Sequence, residues 1–231
     1  MKQKLCALVF FAAAIVLGLA GPAGAVDGTI EINQAKVLAN GGSFPYQINA
    51  SGSYRLTSNL TVSSGTDGID LNSNHVTIDL NGFSIVGVGS GSGISAVDSV
   101  TVEQGTVTGF SLGLNLGNNA IVKSVHADAN SNGIQTGINS VVEGCAAIGN
   151  GLNGIVVGGG TVISGNTANS NKIGISCSGQ GCLVSGNTVL SNSLVPMNFA
   201  DATSGYGGNV LSGSIVAGTS LGHNLCSGTV C

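Results

Sequence analysis

Residues 162–175 read "VISGNTANSNKIGI", and residues 183–192 read "LVSGNTVLSN". The phrase Ser-Gly-Asn-Thr starts at Ser164 and starts again at Ser185, an interval of 185 − 164 = 21. Taking a β-branched residue as the start of each unit extends the pattern, because Val122, Val142, Ile163 and Val184 follow one another at intervals of 20, 21 and 21. Eight positions on from each stands an asparagine: Asn130, Asn150, Asn171 and Asn192. Five positions on stand Ala127, Ala147, Ala168 and Val189, all apolar. A Gly–aliphatic pair recurs alongside, at Gly93-Ile94, Gly113-Leu114, Gly133-Ile134, Gly154-Ile155 and Gly174-Ile175. Val102 and Ile78 carry the series upstream.

A period of this size marks stacked repeats. Within each unit the apolar residues alternate over short runs, as in "VTIDL" and "VTVEQ", with turn residues between. That is strand and turn, not the 3.6-residue rhythm of helical repeats. The dense leucine pattern of a leucine-rich repeat is absent. The expected fold is all-β: a parallel β-helix of roughly seven coils, about 4.8 Å apart, with a cap at each end. At a fixed corner, side chains of successive coils stack. Asparagine tolerates the left-handed conformation of a sharp corner, and its amide can bond the next one. Asn130, Asn150, Asn171 and Asn192 are therefore expected to form a ladder, and Asn166 and Asn187 a second, shorter one. On this reading Ser-Gly-Asn-Thr is scaffold. Phe110 falls where the first ladder would begin, and Cys145 takes the place of Val125 in one coil and Asn166 in the next, as a small semi-buried residue.

Composition agrees. Glycine is 39 of 231 residues and charged residues only 7%, yet 42% of the chain is hydrophobic, so it is far from a disordered composition. "MKQK", the apolar run "LCALVFFAAAIVLGLA" and Ala23-Gly24-Ala25 make residues 1–25 an expected signal peptide, cleaved after Ala25. No later stretch is long and apolar enough to span a bilayer. The expected location is secreted, periplasmic or at the cell surface. Without residues 1–25 the chain keeps Lys36, Arg55, Lys123 and Lys172 against ten acidic residues, a net charge of 4 − 10 = −6. This excludes nucleic acid as a partner and disfavours an anionic membrane.

Five cysteines remain after the leader. "CSGQGC" at 177–182 and "CSGTVC" at 226–231 share one spacing. An oxidising compartment makes Cys177–Cys182 and Cys226–Cys231 natural disulfides. Zinc is the rival reading, with only His223 nearby to support it.

The segments "HVTIDLNGFSIVG" at 75–87, "INASGSYRLTSNLTV" at 48–62 and the closing "SGYGGNV…LGHNLCSG" resemble exported right-handed parallel β-helix repeat proteins of the pectin-lyase-like superfamily. The likeness spans nearly all of residues 26–231. It implies residues 26–64 as an N-terminal cap region, with a short helix within 30–42, residues 65–210 as the β-helix and residues 211–231 as a disulfide-bearing C-terminal cap. For activity it implies less, since lyases, glycosidases, epimerases and proteins without an established role share the fold.

The residue after each unit start is Asp79, Glu103, Lys123, Glu143, Ser164 or Ser185, a column on one outward face, with His126 and Asp128 beside Lys123. Glu103, Lys123, His126 and Glu143 are the candidate catalytic set. Carboxylates there could act on a glycosidic bond, or Lys123 could abstract a sugar proton. The structural alternative is that opposite charges stacked across strands fix register. The superfamily's lyases carry Asp clusters for calcium beside a catalytic Arg or Lys. This chain has one arginine, Arg55, and no paired-Asp motif, so calcium is expected only if it is such a lyase, and no metal or other cofactor otherwise. The galacturonase motifs Asn-Thr-Asp, Asp-Asp, Gly-His-Gly and Arg-Ile-Lys are absent, and "LGHN" at 221–224 is a partial echo. Phe199, Asp201 and Tyr206, in a segment that interrupts the repeat, are the candidate binding residues. The expectation is a monomeric, non-catalytic protein with a structural or polysaccharide-binding role. A polysaccharide-modifying enzyme is the alternative.

Overall fold

A computed structural model of the chain describes residues 28–63 and 65–230. The expected leader, residues 1–25, lies outside them. The chain is a parallel β-solenoid of about nine turns, 49% strand and 4% helix. One central turn shows the plan. Val141–Glu143 forms its first face, Ala146–Ile148 its second and Asn153–Val157 its third, and Val162–Ser164 begins the next turn. Each strand pairs in parallel and in phase with its counterpart one turn away, so Val122, Val142, Ile163 and Val184 stand in one row. All four are fully buried. Ile94, Leu114, Ile134, Ile155, Ile175 and Met197 form a second interior row from the third face. Alternation along the strands sends these residues inward and their neighbours to solvent.

The turns are more numerous than the seven expected. The additional ones come from segments whose spacing departs from the regular period. Tyr54 pairs with Ile78 across a longer interval, and Leu211 with Cys226 across a shorter one. At the N-terminal end a helix, Gln34–Leu38, follows the first strand and is capped by Asn33, whose side-chain oxygen accepts the Lys36 N–H at 2.8 Å. At the C-terminal end Leu225–Cys226 and Thr229–Val230 fold back as an antiparallel hairpin. Cys177 and Cys182 form the expected disulfide. Cys226 is disulfide-bonded, and its expected partner, Cys231, lies outside the described residues.

Each corner is a residue in the left-handed region followed by one that points inward. Gly144, Gly165, Gly186 and Gly208, with φ of 62–66°, make the corner between the first and second faces. Ala129, Gly149, Ser170 and Ser191, with φ of 54–66°, make the one between the second and third. Asn119, Asn139, Gly160 and Gly181 make the last. The ladder asparagines are absent from the left-handed set, contrary to expectation: the residue before each one takes the turn. Asparagine is needed for its hydrogen bonds. The Asn171 side-chain oxygen accepts the backbone N–H of Asn150 at 2.9 Å, and its nitrogen donates to the Ala147 carbonyl at 3.0 Å. Asn150 does the same for Asn130 and Ala127. Asn130 closes the series by accepting the Phe110 N–H at 2.9 Å. Phe110 fills the interior there, and a Cβ on Gly87 would come within 2.6 Å of its ring, so that position requires glycine.

The second ladder is longer than expected. Asn166, Asn187, Asn209 and Asn224 each accept the backbone N–H of the turn before, starting with Cys145 at 2.8 Å. "GGNV" at 207–210 and "GHNL" at 222–225 are therefore further copies of the Ser-Gly-Asn-Thr phrase, with His223 (φ 61°) in the glycine place. At the third corner hydroxyls do the same work. Ser140, Thr161 and Ser204 accept the N–H groups of Ala120, Ser140 and Cys182 at 3.1–3.2 Å.

Asn171→Ala would strand one buried donor and one buried acceptor and should cost about 2–4 kcal/mol in urea denaturation. Asn171→Asp keeps the acceptor and loses the donor, so it should also destabilise. Replacing Cys177 and Cys182 with serine opens a short loop and should cost about 2 kcal/mol in the same assay.

Candidate functional site

The outward column of the first face is longer than the sequence spacing suggested. Glu31, Arg55, Asp79, Glu103, Lys123, Glu143, Ser164, Ser185 and Gly207 pair in succession. Arg55 is thus a member, although its segment carries no repeat signature. Its Nε donates to Asp79 at 3.0 Å, and the other Asp79 oxygen accepts the Asn81 N–H at 2.7 Å. Lys123 Nζ lies 3.7 Å from Glu143, with both side chains about half exposed (49% and 55%). Asp79 and Glu103 are the carboxylates on adjacent coils, and Asp79 is already held by Arg55. Glu103 and Glu143 flank Lys123 one coil to either side, hence about 9.6 Å apart at the coil rise.

His126 stands on the second face, its Nδ1 3.9 Å from the Asp128 carboxylate, beyond hydrogen-bonding reach, with its side chain 62% exposed. The other Asp128 oxygen accepts the Ile148 N–H at 3.0 Å. The structure therefore brings Lys123 and Glu143 together, with Glu103 on the same column and His126 around the corner. Lys123, Glu143 and His126 are exposed, and Glu103 is partly buried.

The corner beside this column is a groove. Gly144, Gly165, Gly186 and Gly208 form its floor, and Glu143, Ser164 and Ser185 its wall, enclosing about 630 Å³. A second hollow of about 370 Å³ continues along the same corner past Gly105, Ser124 and His126. The left-handed conformation does not by itself explain the glycines. Ala129, Ser170, Ser191, Asn119 and Asn139 adopt it at the other corners. Packing does not explain them either, because a Cβ on Gly165 or Gly186 would meet nothing closer than 3.9 Å. What four glycines in succession provide is a floor without side chains. The groove ends near Gly207, where Leu221 lies across the position a Cβ would take, at 3.2 Å.

The candidate binding residues are dispersed. Phe199 is 4% exposed and stacks on Tyr206 at a centroid distance of 5.6 Å, closing the interior instead of offering a platform. Tyr206 is half-buried. Asp201 is partly exposed, and hydrogen bonds donated by the Thr203 hydroxyl and amide hold its carboxyl below the ordinary value. Asn166 and Asn187 are 1% exposed and belong to the scaffold. Cys145 is free and 2% exposed, and burial pushes its thiol up to about 11. No group of three or more His, Cys, Asp or Glu side chains suited to a metal occurs among the described residues. No helix there is long and apolar enough to cross a membrane.

Lys123→Met should change stability by less than about 1 kcal/mol, since the pair with Glu143 is exposed and screened. Cys145 should resist a disulfide reagent at pH 8 in the folded chain and react once urea is added, because the thiolate is the reactive form. Comparison with family models, with curated proteins and with solved structures finds no match to this chain.

Proposed function

We propose that the protein is an exported, non-catalytic solenoid that binds an extended polysaccharide along the groove between its first and second faces. The observation that carries this reading is the unbroken run Gly144, Gly165, Gly186 and Gly208, where neither conformation nor packing requires glycine. A floor of bare backbone repeating at the coil rise suits a polymer with a short repeat, lying along the solenoid axis. Ser164 and Ser185 offer hydroxyls to its hydroxyl groups, and among the described residues Glu143 is the only charged side chain lining the larger part of the groove. The leader-like residues 1–25 support export. Two pairs of opposite charge within the column, Arg55–Asp79 and Lys123–Glu143, stand on an open surface, which favours a register-setting role over acid–base chemistry.

A second reading, a polysaccharide-modifying enzyme, draws on Glu103 and Glu143, whose backbone positions lie two coil rises apart, about 9.6 Å, just outside the roughly 6.5–9.5 Å between the carboxyls of inverting glycosidases.

The test is retention of residues 26–231 on neutral polysaccharides and polyuronates, with and without calcium, beside Ser185→Phe and Lys123→Ala. Ser185→Phe places a ring in the groove from a surface position and should weaken binding at least about tenfold, or 1.4 kcal/mol. Lys123→Ala should bind as the parent does. Absence of binding to every glycan overturns the proposal and leaves a structural role. New reducing or unsaturated ends that disappear in Lys123→Ala establish the enzyme instead.

A further inference from the structure

An outward strand position favours β-branched residues, but threonine meets that preference as well as valine does. The first face carries an outward column on the side of the third corner: Thr77, Thr101, Ile121, Val141, Val162 and Leu183, paired in register from turn to turn. The column begins with hydroxyl residues and turns aliphatic at Ile121. Ile121, Val162 and Leu183 are 36–41% exposed, and Val141 is partly buried. The next position is Gly205, where a Cβ would come within 2.9 Å of the Leu221 side chain. Leu221 is itself exposed, so apolar surface continues to the end of the face.

Two neighbouring columns change character over the same turns. The other outward column of this face passes from Asp79, Glu103, Lys123 and Glu143 to Ser164 and Ser185. The corner beyond it passes from Gln104 and Ser124, left-handed residues with side chains, to Gly144, Gly165 and Gly186. Strand propensity, register and turn conformation are all met upstream by other residue types, so none of them explains the change. The three columns together make a strip of constant cross-section. It has an aliphatic edge at Val162 and Leu183, hydroxyls at Ser164 and Ser185, and a bare floor at Gly165 and Gly186.

We propose that this strip takes an uncharged polysaccharide of equatorially substituted sugar rings, with ring C–H faces covering the aliphatic column and ring hydroxyls meeting Ser164 and Ser185. The proposal rests on the groove as the binding site and names its ligand class. An exposed apolar strip rimmed by polar residues marks a binding surface. A pyranose with equatorial hydroxyls has the complementary form, because its axial C–H bonds make two apolar faces and its hydroxyls lie around the rim. The aliphatic column spans three coil rises from Ile121 to Leu183, about 14 Å, which suits several sugar units in a row. Charge selects against a polyuronate. Among the described residues the lysines and arginine are Lys36, Arg55, Lys123 and Lys172. Lys36 donates to the Glu31 carbonyl at 2.7 Å, Arg55 is held by Asp79, and Lys172 leads into the third-face strand Ile173–Cys177. Lys123 stands 3.7 Å from Glu143, whose carboxylate lines the groove and repels another.

Titration calorimetry of the purified protein with hydroxyethylcellulose and with polygalacturonate tests this. Hydroxyethylcellulose should bind with a negative heat-capacity change and the tighter affinity. Its dissociation constant should move by less than about twofold between about 0.05 M and about 0.5 M sodium chloride. Val162→Thr with Leu183→Thr restores the upstream residue type, keeps strand propensity, and should weaken binding at least about fivefold. Val162→Glu with Leu183→Glu should remove it. Leu152→Glu, at an exposed apolar residue outside the strip, should bind as the parent does. If the glutamate variant does not fold, the threonine variant decides. Tighter binding of polygalacturonate, a steep salt dependence, or full affinity in the threonine variant overturns the ligand class. Any of these leaves the groove standing as long as Ser185→Phe still weakens binding. Failure of both polymers and of every other glycan to bind overturns the groove itself, and this proposal with it.

Discussion

The backbone N–H that follows each left-handed corner residue needs an acceptor, and every turn of the solenoid is arranged around supplying one. The chain bends three times per turn, and each bend carries the next amide into the apolar interior and out of the strand ladder. A buried N–H without an acceptor costs about as much as a core cavity, and the cost would recur at every corner of every turn. The recurring solution is a side-chain oxygen supplied by the following turn. Asparagine provides it at two corners, and Ser140, Thr161 and Ser204 at the third. Asparagine also has a nitrogen to return to the carbonyl behind it, which a hydroxyl lacks.

Because the corners are satisfied from within, their outer surface is free to vary. Left-handed positions accept glycine, alanine, serine, asparagine, glutamine or histidine, at Gly165, Ala129, Ser170, Asn139, Gln104 and His223. Such tolerance makes an uninterrupted glycine run at one corner informative, where a lone glycine would not be. The in-phase stacking also turns any outward residue into part of a column, so Arg55 and Asp79, well separated along the chain, become partners. Exposed pairs of this kind add little stability and considerable registration.

The fold was legible in the sequence because solenoid order is local. Residues one period apart are neighbours in space, so the rows Val122–Val142–Ile163–Val184 and Asn130–Asn150–Asn171–Asn192 could be read by counting. Counting failed where the period changed: the turns around Tyr54 and Cys226, the membership of Arg55 in the charged column, and the continuation of the second ladder through Asn209 and Asn224. The last was marked by "GGNV" and "GHNL", which repeat the phrase with different neighbours. The turn residue was misassigned because asparagine's tolerance of the left-handed conformation and its capacity to bridge backbones predict the same residue type at adjacent positions. The groove left its signal in the contrast between Gly165 and Ser170, two corners of one turn, a difference that becomes meaningful once both are known to share a conformation.

The asparagine side chains all reach the same way, each completing the turn before it. The stack is therefore directional, and every turn is both a finished unit and the template for its successor. A segment one period long, such as 162–182, contains all three corners and the two ladder asparagines that complete the turn before, Asn166 and Asn171. Duplication of that segment would meet matching asparagine partners at both junctions, so the length of the solenoid is a quantity that gene duplication can adjust in whole turns while both ladders continue.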